Sequence, residues 1–264
     1  MHLRMTIGLV LALVAGSAIA DEAPEQEAFE PVSAEELAAA GMVEFSADYE
    51  LRRNSLRAAR MTRTLRCDGR ECQFSSEGRT TGFAELLLRG RIDEFTRFYY
   101  DADGIHPRDY SYRQRARGDN DETVRLFFNP ETGRVSSRGD KEWRDRVDGE
   151  AMDELLSQLR LMLAVRAGET EMEFTVVEGD GDLDSYRFRV EGREEVETDA
   201  GTFDAVKVVR VRESERRITE MWFAPELEYI PIQVRHERVG RDAYTATLTE
   251  LKDGPRVIEP PSAR

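Results

Sequence analysis

Cys67 and Cys72 are the first residues along the chain that could do chemistry together. They bracket the turn Asp68-Gly69-Arg70-Glu71, between two stretches of alternating pattern, so their side chains can meet across a hairpin. In an oxidising compartment such a pair is read as a disulfide. A redox role would want C-x-x-C spacing and a helix N-terminus to lower a thiol pKa, and both are missing. Because the loop is so small, chain entropy predicts a staple weaker than the ~3 kcal/mol of a 15-residue loop.

Carboxylates offer a second chemistry. Asp180, Asp182 and Asp184 alternate, and Glu191 follows, as in the first, third, fifth and last ligands of a calcium loop. The position that needs glycine is Ser185 and the flanks read as strands, so a solvated hairpin loop is the better account. His106 and His236 are not accompanied by H-E-x-x-H or a Cys/His cluster, so no metal and no cofactor is expected. His236 continues the alternating set Ile232 and Val234, which points it toward the core. G-x-S-x-G, a Walker loop and G-x-G-x-x-G are all absent. A glycosidase-type carboxylate pair stays open, because spacing in sequence does not give separation in space. The arginine-rich runs at residues 113–117 and 210–217 have acids nearby and read as ion-paired outer strand faces.

Aromatic residues concentrate near the C-terminus, in Met221-Trp222-Phe223-Ala224-Pro225 and Tyr229-Ile230-Pro231-Ile232. A strand ending at Trp222-Phe223, a proline turn and a return strand opened by Pro231 would gather Trp222, Phe223 and Tyr229 at one end of a sheet. Packing is the plainer role for such residues. If they form a ligand platform instead, Trp222, Phe223, Tyr229 and His236 are its candidate residues.

The elements that must position these groups are mostly strands. Short runs of period-two alternation, divided by turn residues, recur from residue 45 to residue 251. One segment breaks the rhythm. Between residues 148 and 167, Met152, Leu155, Leu156, Leu159, Met162 and Leu163 recur at three- and four-residue spacing, which predicts one helix with Asp148 as N-cap and Gly168 as its stop. Leu161 and Val165 lie off that stripe, so the helix is expected to be covered on more than one side. The fold class expected is mainly β: a strongly curved antiparallel sheet or open half-barrel wrapping one principal helix.

Residues 1–20 read as a signal peptide, with Arg4, an apolar run and Ala18-Ile19-Ala20 before the cut after Ala20. The run is too short for the ~20 apolar residues of a membrane span, so the cleaved protein is expected not to span a membrane, and its location to be periplasmic. Residues 21–42 form an acidic arm with a short helix opened by the capping box Ser33-Ala34-Glu35-Glu36. Residues 43–252 form a single β-rich domain, and 253–264 a flexible tail. With 53 acidic against 38 basic residues and a net charge of −15, bulk attraction to nucleic acid is excluded.

Gly201, Phe203, Ala205, Lys207 and Val208, then Trp222, Phe223 and Pro225, then Tyr229 and Pro231, resemble a family of uncharacterised periplasmic proteins, domain of unknown function 3108. The resemblance covers about residues 43–251. It implies a curved antiparallel sheet holding a helix, similar to the half-barrel of lipoprotein carriers, and supplies no catalytic residues. The function expected is a non-enzymatic periplasmic binding or envelope-assembly factor, its partner a lipid acyl chain, a lipoprotein or an envelope polypeptide segment. The alternatives are an enzyme acting on envelope polysaccharide or peptidoglycan through a carboxylate pair, and a structural partner in an envelope complex.

Overall fold

The computed structural model describes residues 41–82, 90–101, 104–116, 121–140, 142–147, 150–212, 217–240 and 242–258. The leader, residues 21–40 of the acidic arm with its Ser33–Glu36 capping box, Asp148 and residues 259–264 lie outside them, and Met42, expected in the arm, is already paired in the first strand.

A first meander runs through β1 (Met42–Arg53), β2 (Leu56–Asp68), β3 (Glu71–Thr80), β4 (Arg91–Asp101), β5 (Gly104–Arg115), β6 (Glu122–Asn129), β7 (Arg134–Gly139) and β8 (Trp143–Arg146). The chain then forms β9 (Ala151–Met152), helix α1 (Glu154–Ala167) and β10 (Glu171–Val177). A second meander follows through β11 (Leu183–Thr198), β12 (Gly201–Val211), β13 (Arg217–Ala224), β14 (Ile230–Arg238) and β15 (Ala243–Ile258). All 15 strands belong to one sheet, in which β1 and β15 pair at the centre and β8 and β9 form the edges.

Every ladder is antiparallel except the short pairing of β9 with β10. A parallel pair needs a crossover, and α1 is that crossover, which lays the helix against one face of the sheet. The sheet curls around it without closing. The edges β8 and β9 are separated in sequence by residues 147–150 alone, and Trp143 Nε1 on β8 donates to the Gly179 carbonyl just beyond β10 at 3.1 Å. The approach there is so close that a Cβ on Gly179 would lie 2.9 Å from the Val124 side chain.

Inside the curl, apolar side chains leave little room. Leu155, Leu156, Leu159, Leu161, Met162, Leu163, Ala164 and Val165 of α1 are all buried, so the helix is covered on all sides rather than along one stripe. Facing it are Phe45, Leu65, Phe98, Tyr100, Leu126, Val208, Phe223 and Ile232. At about 25 cal/mol per Å² of apolar surface, this shared core is the main force holding the sheet curved.

The helix opens later than its spacing predicts. Asp153, not Asp148, is the N-cap, and its carboxylate accepts from the Leu156 N–H at 2.8 Å. Met152 continues the three-and-four spacing but pairs in β9, where two ladder residues override the periodicity. The stop is as expected: Gly168 takes φ 93° and its N–H satisfies the last carbonyls. The predicted tail is also shorter at its start. β15 continues through Ile258 on β1, and the register shift between Glu44 and Ser46 takes up an extra residue around Gly254 and Pro255, a bulge that tolerates the missing proline N–H.

Candidate functional site

The strands lead to two different ends. At one, the C-terminus of α1 is tied down: Arg166 Nη1 donates to the Gly41 carbonyl and Nε to Glu228, each at 3.0 Å. The Cys67–Cys72 disulfide closes the β2–β3 hairpin there, as its spacing predicts. At the other end, where α1 begins, the inward positions of the strands turn polar. Arg63 (β2), Glu94 (β4), Tyr110 and Tyr112 (β5), Glu178, Tyr186 (β11), Arg210 and Arg212 (after Val208 on β12) and His236 (β14) continue the inner face there.

This mouth is divided by charge. On its acidic side, the Tyr110 hydroxyl donates to Glu94 at 2.8 Å, Thr96 donates to Asp153 at 2.7 Å, and Tyr186 donates to Glu154 at 2.7 Å. Burial lifts the Glu94 carboxyl to about 7, with the neighbouring charges of Glu154 and Asp153 adding to the rise. Burial also lifts Asp153 to about 7 against its helix-capping bonds, and Glu178 to about 7 beside Glu154. The same desolvation pushes the Tyr110 and Tyr186 hydroxyls well above their ordinary value, so both remain donors.

The basic side holds three guanidinium groups. Arg210, its side chain 9% exposed, lies 3.4 Å from the Tyr186 ring centroid and reaches Asp184 at 3.1 Å. Arg63 donates to Gln158 of α1 at 2.7 Å and sits over the Tyr49 ring. Burial, with Arg210 and Arg217 beside it, lowers Arg212 to about 10. His236 meets Thr219 Oγ1 through Nδ1 at 3.0 Å, and burial together with Arg212, Arg63 and Arg210 holds it neutral, down at about 4. Among the described residues, four buried donors on this side have no hydrogen-bond partner: Arg63 Nε, Arg210 Nε, and Arg212 Nε and Nη2.

The aromatic platform is not assembled as its spacing suggested. Trp222 and Phe223 are consecutive and point to opposite faces. Phe223 continues the core side with Met221, whereas Trp222 pairs across with Lys207, whose Nζ lies 5.6 Å from its ring centroid, and donates to Glu194. Tyr229 follows the turn Pro225–Leu227 at the disulfide end and takes φ 60°. His236 stands at the opposite end, in the polar mouth, pointing inward as its alternation predicts. The mouth arginines are what sequence reasoning misses: the run at 210–217 reads as an outer face, yet Arg210 and Arg212 continue the parity of the buried Val208. That parity was the available signal.

The acidic loop at Asp180–Asp184 is a hairpin turn, closed by Glu178 N–H to the Asp182 carbonyl at 2.9 Å. Asp184 turns to Arg210 and Glu191 to Lys207 and Arg189, so the calcium-like acids do not converge. Among the described residues, no three of His, Cys, Asp and Glu gather where they could hold a metal ion, and no helix is long and apolar enough to cross a membrane. A recess of about 270 Å³ lies on the outer face of β4–β6, between Phe95, Ser111, Arg113, Arg125 and Phe127.

The chain is similar to solved structures. One is a beta-barrel-like protein of domain of unknown function DUF1849 from Brucella abortus, 16% identical with a TM-score of 0.53, matched over 81% of this chain and 98% of that one. A candidate lipoprotein from Parabacteroides distasonis is 11% identical with a TM-score of 0.29, over 79% and 95%. No curated protein matches the sequence. The model of the family described as protein of unknown function (DUF3108) matches residues 45–249, the two meanders and the helix between them, and the chain belongs to that family.

Proposed function

We propose that the protein is a non-enzymatic binding or assembly factor of the periplasm, and that it engages its ligand at the polar mouth rather than in a hollow interior. The observation that carries this reading is the contrast between the two regions. The concave face is packed against α1 by Leu155, Leu156, Leu159 and Met162, while the mouth holds half-buried arginines of which four buried guanidinium nitrogens have no partner among the described residues. An acyl chain, lipoprotein or polypeptide segment would then be held by its polar end, with the chain itself outside the curl. The periplasmic assignment rests on the leader at residues 1–20.

Native mass spectrometry and lipid extraction of protein purified from its own periplasm test the reading. A co-purifying molecule or envelope protein that is lost on Tyr186→Ala substitution supports it. A bare protein, with no companion molecule under native conditions, counts against it.

A second reading draws on the acidic side of the same mouth. Glu94, beside Tyr110 and lifted to about 7, has the protonation behaviour of a general acid. On that reading the protein cleaves an envelope polysaccharide through Glu94 and a second carboxylate. Release of reducing ends from peptidoglycan, abolished by Glu94→Gln, supports it, and identical inactivity of both forms sinks it.

A further inference from the structure

We propose that the basic side of the mouth is a binding site for a small oxyanion group, phosphoryl or carboxylate in chemistry, held by Arg63, Arg210 and Arg212. The proposal deepens the binding reading above and rests on it for the location of the binding end.

Three observations lead there. The first is the set of unpartnered donors. Buried guanidinium N–H groups normally find acceptors, because leaving one unmade forfeits its hydration without return. Here four such atoms, on Arg63 of β2 and on Arg210 and Arg212 at the end of β12, far across the sheet, are left without one among the described residues. The second is their mutual approach. His236 feels the charges of Arg212, Arg63 and Arg210 together, and Arg212 feels Arg210 and Arg217, so like charges converge on one place. Asp184 pairs directly with Arg210 and acts on Arg212 only at longer range, and Glu94 acts on Arg63 without an ion pair; the hydrogen-bond partner of Arg63 is the neutral amide of Gln158, and Arg212 Nε and Nη2 have no partner among the described residues. An anion bound between them would supply a closer countercharge and the missing acceptors at once.

The third is geometry of recognition. Guanidinium groups present N–H donors in a rigid plane that matches two oxygens of a phosphate or carboxylate. Arg210 is fixed in that plane by stacking on Tyr186, and Arg63 by Gln158 on one side and the Tyr49 ring on the other. Two of the three forks are thus held before any ligand arrives, which reduces the ordering cost of binding. His236, neutral, adds no competing charge.

The test is calorimetric titration of the intact, disulfide-bonded protein at constant ionic strength with three probes: inorganic phosphate, acetate, and dihexanoyl phosphatidic acid below its micelle concentration. Saturable binding of phosphate or acetate is expected, weakened at least tenfold by Arg212→Gln and unchanged by Arg125→Gln on the outer face. Binding of the phosphatidic acid with no binding of free phosphate also supports the site and makes a lipid headgroup the source of the anion. No saturable heat with any probe, or equal affinity in Arg212→Gln, overturns the proposal. Should Arg212→Gln fail to fold, Arg63→Gln carries the same comparison. If all probes fail while a molecule still co-purifies through the mouth, the oxyanion site falls and the binding reading stands.

Discussion

Replacing Glu94 with glutamine should make the protein more stable, and the gain should grow with pH. In the unfolded chain this carboxyl titrates at its ordinary 4.5, and in the fold at about 7. Between those values the folded state keeps a proton that the unfolded state releases. The stability linked to Glu94 is therefore complete below 4.5 and is lost as pH rises through 7. At about 1.4 kcal/mol for each tenfold change in proton affinity, the loss is on the order of 1 kcal/mol at pH 5 and about 3 kcal/mol at pH 8. Glutamine cannot ionise, and its amide oxygen can still accept from the Tyr110 hydroxyl. In a domain of this size 3 kcal/mol corresponds to roughly 6–12 °C in Tm. Urea unfolding of both forms, followed by circular dichroism at pH 5 and pH 8, gives the comparison directly. A glutamine variant that is less stable at pH 8, or whose advantage is the same at both pH values, would show that Glu94 is not held protonated by burial.

Three further outcomes follow from the same fold. For the disulfide between Cys67 and Cys72, five residues apart, chain entropy gives about 2 kcal/mol; the double serine variant should lose that much in urea unfolding, and a loss above 4 kcal/mol would mean the bond does more than restrict the unfolded chain. Gly139→Ala places a Cβ 2.3 Å from the Thr123 carbonyl oxygen at φ 134°, so it should cost more than about 2 kcal/mol, and wild-type stability of that variant would contradict the geometry. His236 is neutral in the fold down to about 4 but protonates near 6.5 when unfolded. Its contribution is present above 6.5 and disappears as pH falls toward 4, so His236→Gln should lose about 3 kcal/mol less than the parent between pH 7 and pH 4; equal losses in both proteins would exclude a buried neutral imidazole.

Alternation and turn residues were enough to read the strands, because each strand here has one face on the core. The Cys67–Cys72 hairpin was legible for the same reason, since its register depends on a local turn. The helix was legible in its middle and end, where Leu155 to Leu163 and Gly168 set period and stop, and illegible at its start. There a two-residue parallel ladder, formed with residues more than twenty positions away, decides the outcome. The mouth was hidden by residue type. Charge at Arg210 and Arg212 argued for solvent, but β12 has no register shift between Val208 and its end, so the alternation begun at Val208 carries these side chains inward. Conversely, Trp222 and Phe223 look like a pair in the sequence and are separated by the same rule.

The pairing of β1 with β15 has a consequence for how the chain comes to be folded. The first described strand and the last form one of the longest ladders of the sheet, from Met42 opposite Ile258 to Arg53 opposite Tyr244. Closing a loop of some two hundred residues carries an entropic cost that local hairpins do not, so this ladder is expected to form late. During synthesis, β1 must wait, one edge unpaired, until the final strand emerges. The β1–β8 meander can form its hairpins early, yet it presents an open strand edge for the whole of that interval. A chain cut short before residue 243 would keep that edge for good, and would be a substrate for aggregation or proteolysis.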